Sequence, residues 1–175
     1  MNRLSSFGLW LTRAAGLTFC GLAWAATAET NQTLFIIERS KNANVIHYDA
    51  HLTAQGALDP KEPVTAYWIL LAQDGRREGL NMVERAKAYG FDIKPAPTGA
   101  CWVMTLVAYR QRPVTVRPIP GGARAEIVID GRPAIFEKLY IHSTEGFVLP
   151  KVDYLEFFGK DIETGTPRHE KFVPE

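Results

Sequence analysis

Cysteine is nearly missing from this chain. Two are present among 175 residues, Cys20 and Cys101. Cys20 lies in the first 28 residues, which read as an export leader, so Cys101 stands alone and no intramolecular disulfide is expected. It sits in the apolar run Ala-Cys-Trp-Val-Met, the setting of a small buried hydrophobe rather than a nucleophile. An excess of one charge is also missing. Without the leader, 18 basic residues face 19 acidic ones, which suggests neither a nucleic-acid binder nor a polybasic membrane binder. No stretch after the leader is apolar for long enough to cross a bilayer as a helix. There is no GxSxG, no HExxH, no Cys/His cluster, and Gly121-Gly122 lacks the flanking pattern of a phosphate loop. No internal repeat is visible.

What is present begins at the N-terminus. Arg3 and Arg13 supply a positive region, 14–24 is an apolar run, and Ala26-Thr27-Ala28 offers the small residues a signal peptidase accepts. That order predicts a secretory signal over 1–28. A lipoprotein reading would need a small residue before Cys20, where Phe19 stands. The working chain is then expected in the periplasm or outside the cell, as one β-rich domain over 29–162 with a polar tail over 163–175.

Strand signals dominate. Short branched and aromatic runs occupy 33–39, 44–52, 64–72, 101–110, 114–119, 124–129, 134–143 and 152–162. Turn residues separate them, and Asp130-Gly131 is the clearest hairpin signal. One helix interrupts the series: Asn81 caps it, Glu84 completes a capping-box pattern, and Gly90 ends it. Met82, Val83, Ala86 and Tyr89 give it a partial apolar face. The spacing predicts an antiparallel meander, closing as a barrel or folding as a sandwich, with the helix covering one edge.

The runs IERSKNANVIHYDA, PVTAYWILLAQDG, GLNMVERAKAYGF and KLYIHS carry a likeness to a known family. Over 34–160 the chain resembles an exported bacterial family catalogued only as a domain of unknown function, number 4833. The resemblance implies one globular domain. It brings no activity, cofactor or catalytic residue.

The remaining chemistry is read from side chains. On 134–143, period two places Phe136, Lys138, Tyr140 and His142 on one face, and Ile135, Glu137, Leu139 and Ile141 on the other, better core face. Lys138, Tyr140 and His142 are then either a solvated stripe or the lip of a cavity suited to a carboxylate or phosphate. Arg39, where a strand meets the turn Ser40-Lys41-Asn42, is a second anion-binding candidate. Trp68 and Trp102 are candidates for the apolar wall of a pocket. His47 and Asp49 share a strand face about 7 Å apart, and His47 and His51 about 13 Å, too far for one metal ion.

The expected function is a periplasmic or secreted binding or carrier protein. Its ligand would be small and amphipathic or anionic, a lipid for example, held by Arg39, Lys138, Tyr140, His142, Trp68 and Trp102. No cofactor, metal or nucleic acid is expected. One alternative is an envelope hydrolase or isomerase with His142 or His47 as general base. Another is a ligand-free interaction protein with a solid core.

Overall fold

The computed structural model describes residues 30–144 and 151–174. The leader over 1–28 lies outside the described residues. Eleven strands and one helix are found among those described, in the order β1 (Thr30–Arg39), β2 (Asn42–Leu52), β3 (Val64–Ile69), β4 (Arg77–Gly79), α1 (Met82–Lys87), β5 (Phe91–Pro95), β6 (Trp102–Leu106), β7 (Tyr109–Ile119), β8 (Gly122–Ile129), β9 (Arg132–Thr144), β10 (Lys151–Asp161) and β11 (Pro167–Phe172). Tight turns set most of the neighbours. Asp130 and Gly131 have φ of 50° and 70°, the left-handed pair that a two-residue hairpin demands, and they join β8 to β9.

The strands form one sheet in the order β4-β3-β2-β1-β9-β8-β7-β6-β5, with β10 on the other edge of β9 and β11 beyond it. The sheet curls into a half-barrel. All pairings are antiparallel except one: β1 runs parallel to β9, with Ile37 beside Leu139 and Arg39 beside Ile141. The long β9 therefore has β8 along its first part and β1 along its second.

The core fills the concave, inner face. Phe35 stacks on Tyr48 at 4.4 Å and meets Phe136 at 4.5 Å, and all three are almost completely buried. The Tyr48 hydroxyl donates to the Tyr89 carbonyl at 2.7 Å, so this buried polar group is satisfied. Burial raises its phenol well above the ordinary tyrosine range.

The strands differ from the sequence reading in three places. The run 101–110 contains a turn at 107–108, so it splits between β6 and β7. β4 and β5 are short edge strands on either side of the helix. The expected tail from Glu163 holds β11, paired to β10 over six residues.

The helix has the predicted capping box: the Asn81 side chain accepts from the Glu84 amide, and the Glu84 carboxylate accepts from the Asn81 amide, both at 2.9 Å. Its apolar face does not pack. Met82 and Val83 are 84% and 70% exposed, and the residue that turns inward is Tyr89, just past the helix end. Gly90 follows because a Cβ there would fall on the Arg85 carbonyl. Among the described residues, no helix is long and apolar enough to cross a membrane.

Candidate functional site

Alternation along β1 sends Phe35, Ile37 and Arg39 to the inner face. Phe35 and Ile37 are buried in the core, and Arg39 ends the row where the strand meets its turn. Its guanidinium lies over the Trp68 ring at 4.8 Å and 5.7 Å from the Tyr89 ring centre. Nη1 donates to the Tyr89 hydroxyl at 2.9 Å. Trp68 and Tyr89 themselves meet edge to face at 5.3 Å. Both rings thus meet the half-buried cation from one side, and Trp68 presents the nearer ring for cation–π attraction. Arg39 Nε is buried, and it is the one such side-chain atom without a hydrogen-bond partner among the described residues. Burial raises the Tyr89 phenol, while the Arg39 charge and hydrogen bond pull it back.

Beside this cage lies a groove of about 570 Å³. Its floor is Ile37 from β1 with Leu139 and Ile141 from β9. Leu106 and Tyr109 wall it from the β6–β7 hairpin, and Leu155 and Phe172 from β10 and β11. Tyr89 belongs both to this wall and to the arginine cage. Ile141, a floor residue, is Arg39's partner in the parallel pair. No charged side chain lines the groove among the described residues. Val152 and Val173 leave its rim exposed and apolar, at 39% and 63%.

The six residues singled out from sequence do not converge. Arg39 and Trp68 meet on the inner face. Trp102 is half-buried on the same face, packed against the core, but outside the groove. Lys138, Tyr140 and His142 stand on the opposite, outer face. The parallel register decides this: Leu139 and Ile141 share the inner face with Ile37 and Arg39, so their alternating neighbours point away. Phe136 leaves the stripe because the β9–β10 register skips Glu137. That bulge turns Phe136 inward, to complete burial, in phase with Leu139.

On the outer face two members of the stripe, Lys138 and His142, are already partnered. Lys138 pairs with Glu38 at 3.1 Å and lies over Phe158 at 4.8 Å. His142 Nδ1 is 3.1 Å from Asp153, and its ring stacks on Tyr154 at 4.6 Å. Lys171 and His169 of β11 cover the same two rings from the other side: Lys171 over Tyr154 at 3.6 Å, His169 on Phe158 at 4.6 Å.

His47 and Asp49 are joined through a third residue. Thr33 donates to Asp49 at 2.8 Å and lies 3.4 Å from His47 Nδ1, while Tyr67 donates to Asp49 at 2.6 Å. Burial lowers the His47 imidazole, Asp49 opposes this, and Arg77 adds to it. No group of three or more His, Cys, Asp or Glu among the described residues is placed to share a metal ion.

Sequence reasoning missed Tyr89 as a site residue. Its signal was there, a Tyr before the Gly that ends the helix, but it counted toward the helix's own apolar face. Leu139 and Ile141 read as core and open into a groove only because β11 and the β6–β7 hairpin stand over them at a distance.

No curated protein and no solved structure matches the chain. A family model, described as a domain of unknown function (DUF4833), matches residues 35–171, and the chain belongs to that family.

Proposed function

We propose, for a member of a family whose description carries no activity, that the protein is a binding or carrier module for a small amphipathic ligand. The apolar part of the ligand lies in the groove over Ile37, Leu139 and Ile141, and its polar end lies toward Tyr89 and Arg39. We place this role in the periplasm or outside the cell, from the export signal read in the sequence. One observation carries the reading: an apolar groove of a volume that suits a small ligand shares a wall with a caged arginine whose Nε lacks a partner. The exposed Val152 and Val173 give an apolar entrance.

The test is uptake of an environment-sensitive naphthylamine dye. The unmodified protein is expected to enhance its fluorescence saturably, and added dodecanoic acid to displace it. Leu139→Trp, which fills the floor, should weaken dye binding at least tenfold while leaving the strand content seen by circular dichroism unchanged. No saturable uptake by the unmodified protein would overturn the reading.

A further inference from the structure

We infer that the outer face of the β7–β8 hairpin is a binding site for a singly charged tetrahedral oxyanion, the group of a phosphodiester or a sulfate ester. The site stands apart from the groove, and neither of its arginines lines that cavity. Its geometry starts from the turn. Pro120 and Gly121, the latter at φ 80°, close the hairpin in two residues, and the register sets Arg117 directly opposite Arg124. Val116 and Ala125 are fully buried, so alternation sends both arginines outward. Like charges directly opposite weaken a sheet, and here one carboxylate answers for two cations. Glu126 Oε1 accepts from Arg117 Nε at 2.9 Å and from Arg124 Nε at 2.7 Å. The two guanidiniums thus converge on a single oxygen atom.

The Glu126 side chain is 12% exposed, against 40% and 29% for Arg117 and Arg124, so the carboxylate is the floor and the guanidiniums form the open side. A guanidinium presents five N–H groups in a planar fork, and each of these commits only its Nε–H. No described residue accepts from the Nη atoms of either arginine. Two forks stand side by side with one positive charge in excess of the Glu126 carboxylate, and that excess balances a monoanion. Forks arriving from two strands reach different oxygens of a tetrahedral group, whereas a carboxylate offers only two oxygens in one plane. Charge, donor number and convergence together select the singly charged tetrahedral ester.

Amide chemical shifts of the unmodified protein test this, with methyl sulfate, dimethyl phosphate and acetate each replacing chloride at constant ionic strength. Both tetrahedral anions are expected to give saturable shifts confined to residues 115–117 and 124–126, and to bind about tenfold more tightly than acetate. Tighter methyl sulfate would identify the natural group as a sulfate ester, and tighter dimethyl phosphate as a phosphodiester; either supports the site. Arg124→Gln should weaken binding about ten- to a hundredfold, the range of a lost hydrogen bond to a charged group. Glu126→Gln separates an anion site from a purely structural ion-pair network. It keeps an acceptor for both Nε–H groups and removes the competing charge, so affinity should rise about fivefold, the effect of one unit charge about 4 Å away in water. A fall in affinity would overturn the assignment. So would acetate binding as tightly as the tetrahedral anions, or shifts that fail to saturate or spread evenly over every basic patch. The titration is read on the unmodified protein, so it decides even if a variant does not fold, and dye uptake reports on the groove separately.

Discussion

Removing one oxygen from Tyr48 should be felt at Tyr89. The Tyr48 hydroxyl is the donor to the Tyr89 carbonyl, deep in the core. Tyr48→Phe keeps the stack on Phe35 and leaves that carbonyl unpaired, which costs about 1–3 kcal/mol. Urea unfolding should report this as a lower midpoint with unchanged slope. An unchanged midpoint would mean that the contact contributes nothing net. The same scale shows what the sequence made legible. Arg39 and Trp68 were singled out as site residues, and the structure joins them, because an arginine at a strand end and a tryptophan in an apolar strand each have few other uses. Their separation from Lys138, Tyr140 and His142 was not legible. Each strand's own alternation is visible in sequence, but the phase of β1 against β9 is set by pairing residues about a hundred positions apart.

At the scale of elements, β11 is the strand that periodicity concealed. In PRHEKF only Phe172 is a large hydrophobe, so no apolar alternation marks the strand. Its other side chains are satisfied one by one. Arg168 pairs with Asp161 at 2.8 Å, and Glu170 takes a two-pronged contact from Arg112 of β7 at 2.6 and 2.9 Å. Glu170 also accepts from the Asp130 amide. Polar residues matched to polar partners carry no hydrophobic period, and their partners are distant in sequence. The capping box of α1 was legible for the opposite reason, since all its parts lie within four residues. The Arg112–Glu170 contact is largely shielded from water, so losing one partner leaves the other poorly compensated. Glu170→Gln should therefore lower stability by about 1–3 kcal/mol. Hydrogen exchange should rise first across residues 167–172, and dye affinity should fall, because Phe172 is a groove wall. Faster exchange spread evenly over the sheet would show that the contact holds the whole fold rather than this strand.

For the whole molecule, the half-barrel was only partly legible. Meander and turns follow from local signals, but the parallel β1–β9 pairing does not. The charges tied into that sheet set its response to pH. Asp161 is held at about 2 by amides of the turn that follows it, Thr164 foremost, and by Arg168; Arg112 first, and the Asp130 amide, hold Glu170 below its ordinary range. Free carboxyls titrate near 4. As pH falls from about 4 to about 2, the unfolded chain takes up protons that the folded chain still refuses, so acid destabilises the fold across that window. The lowered His47 acts in the same direction, starting from about pH 6.5. Tyr67 works at the other end. Burial first, then Asp49, pushes its phenol up to about 12, so the folded state keeps a proton that the unfolded chain gives up from about pH 10. That contribution is present below pH 10 and is lost as pH rises toward 12. The melting temperature should therefore be flat around neutrality and fall at both extremes. Asp161→Asn should lower the neutral plateau and flatten the acid limb between pH 4 and 2, and Tyr67→Phe should flatten only the alkaline limb. If Asp161→Asn melts along an acid limb of unchanged steepness, the carboxylate in the β10–β11 turn is not what couples this fold to protons, and the Arg112–Glu170 contact becomes the group to remove next.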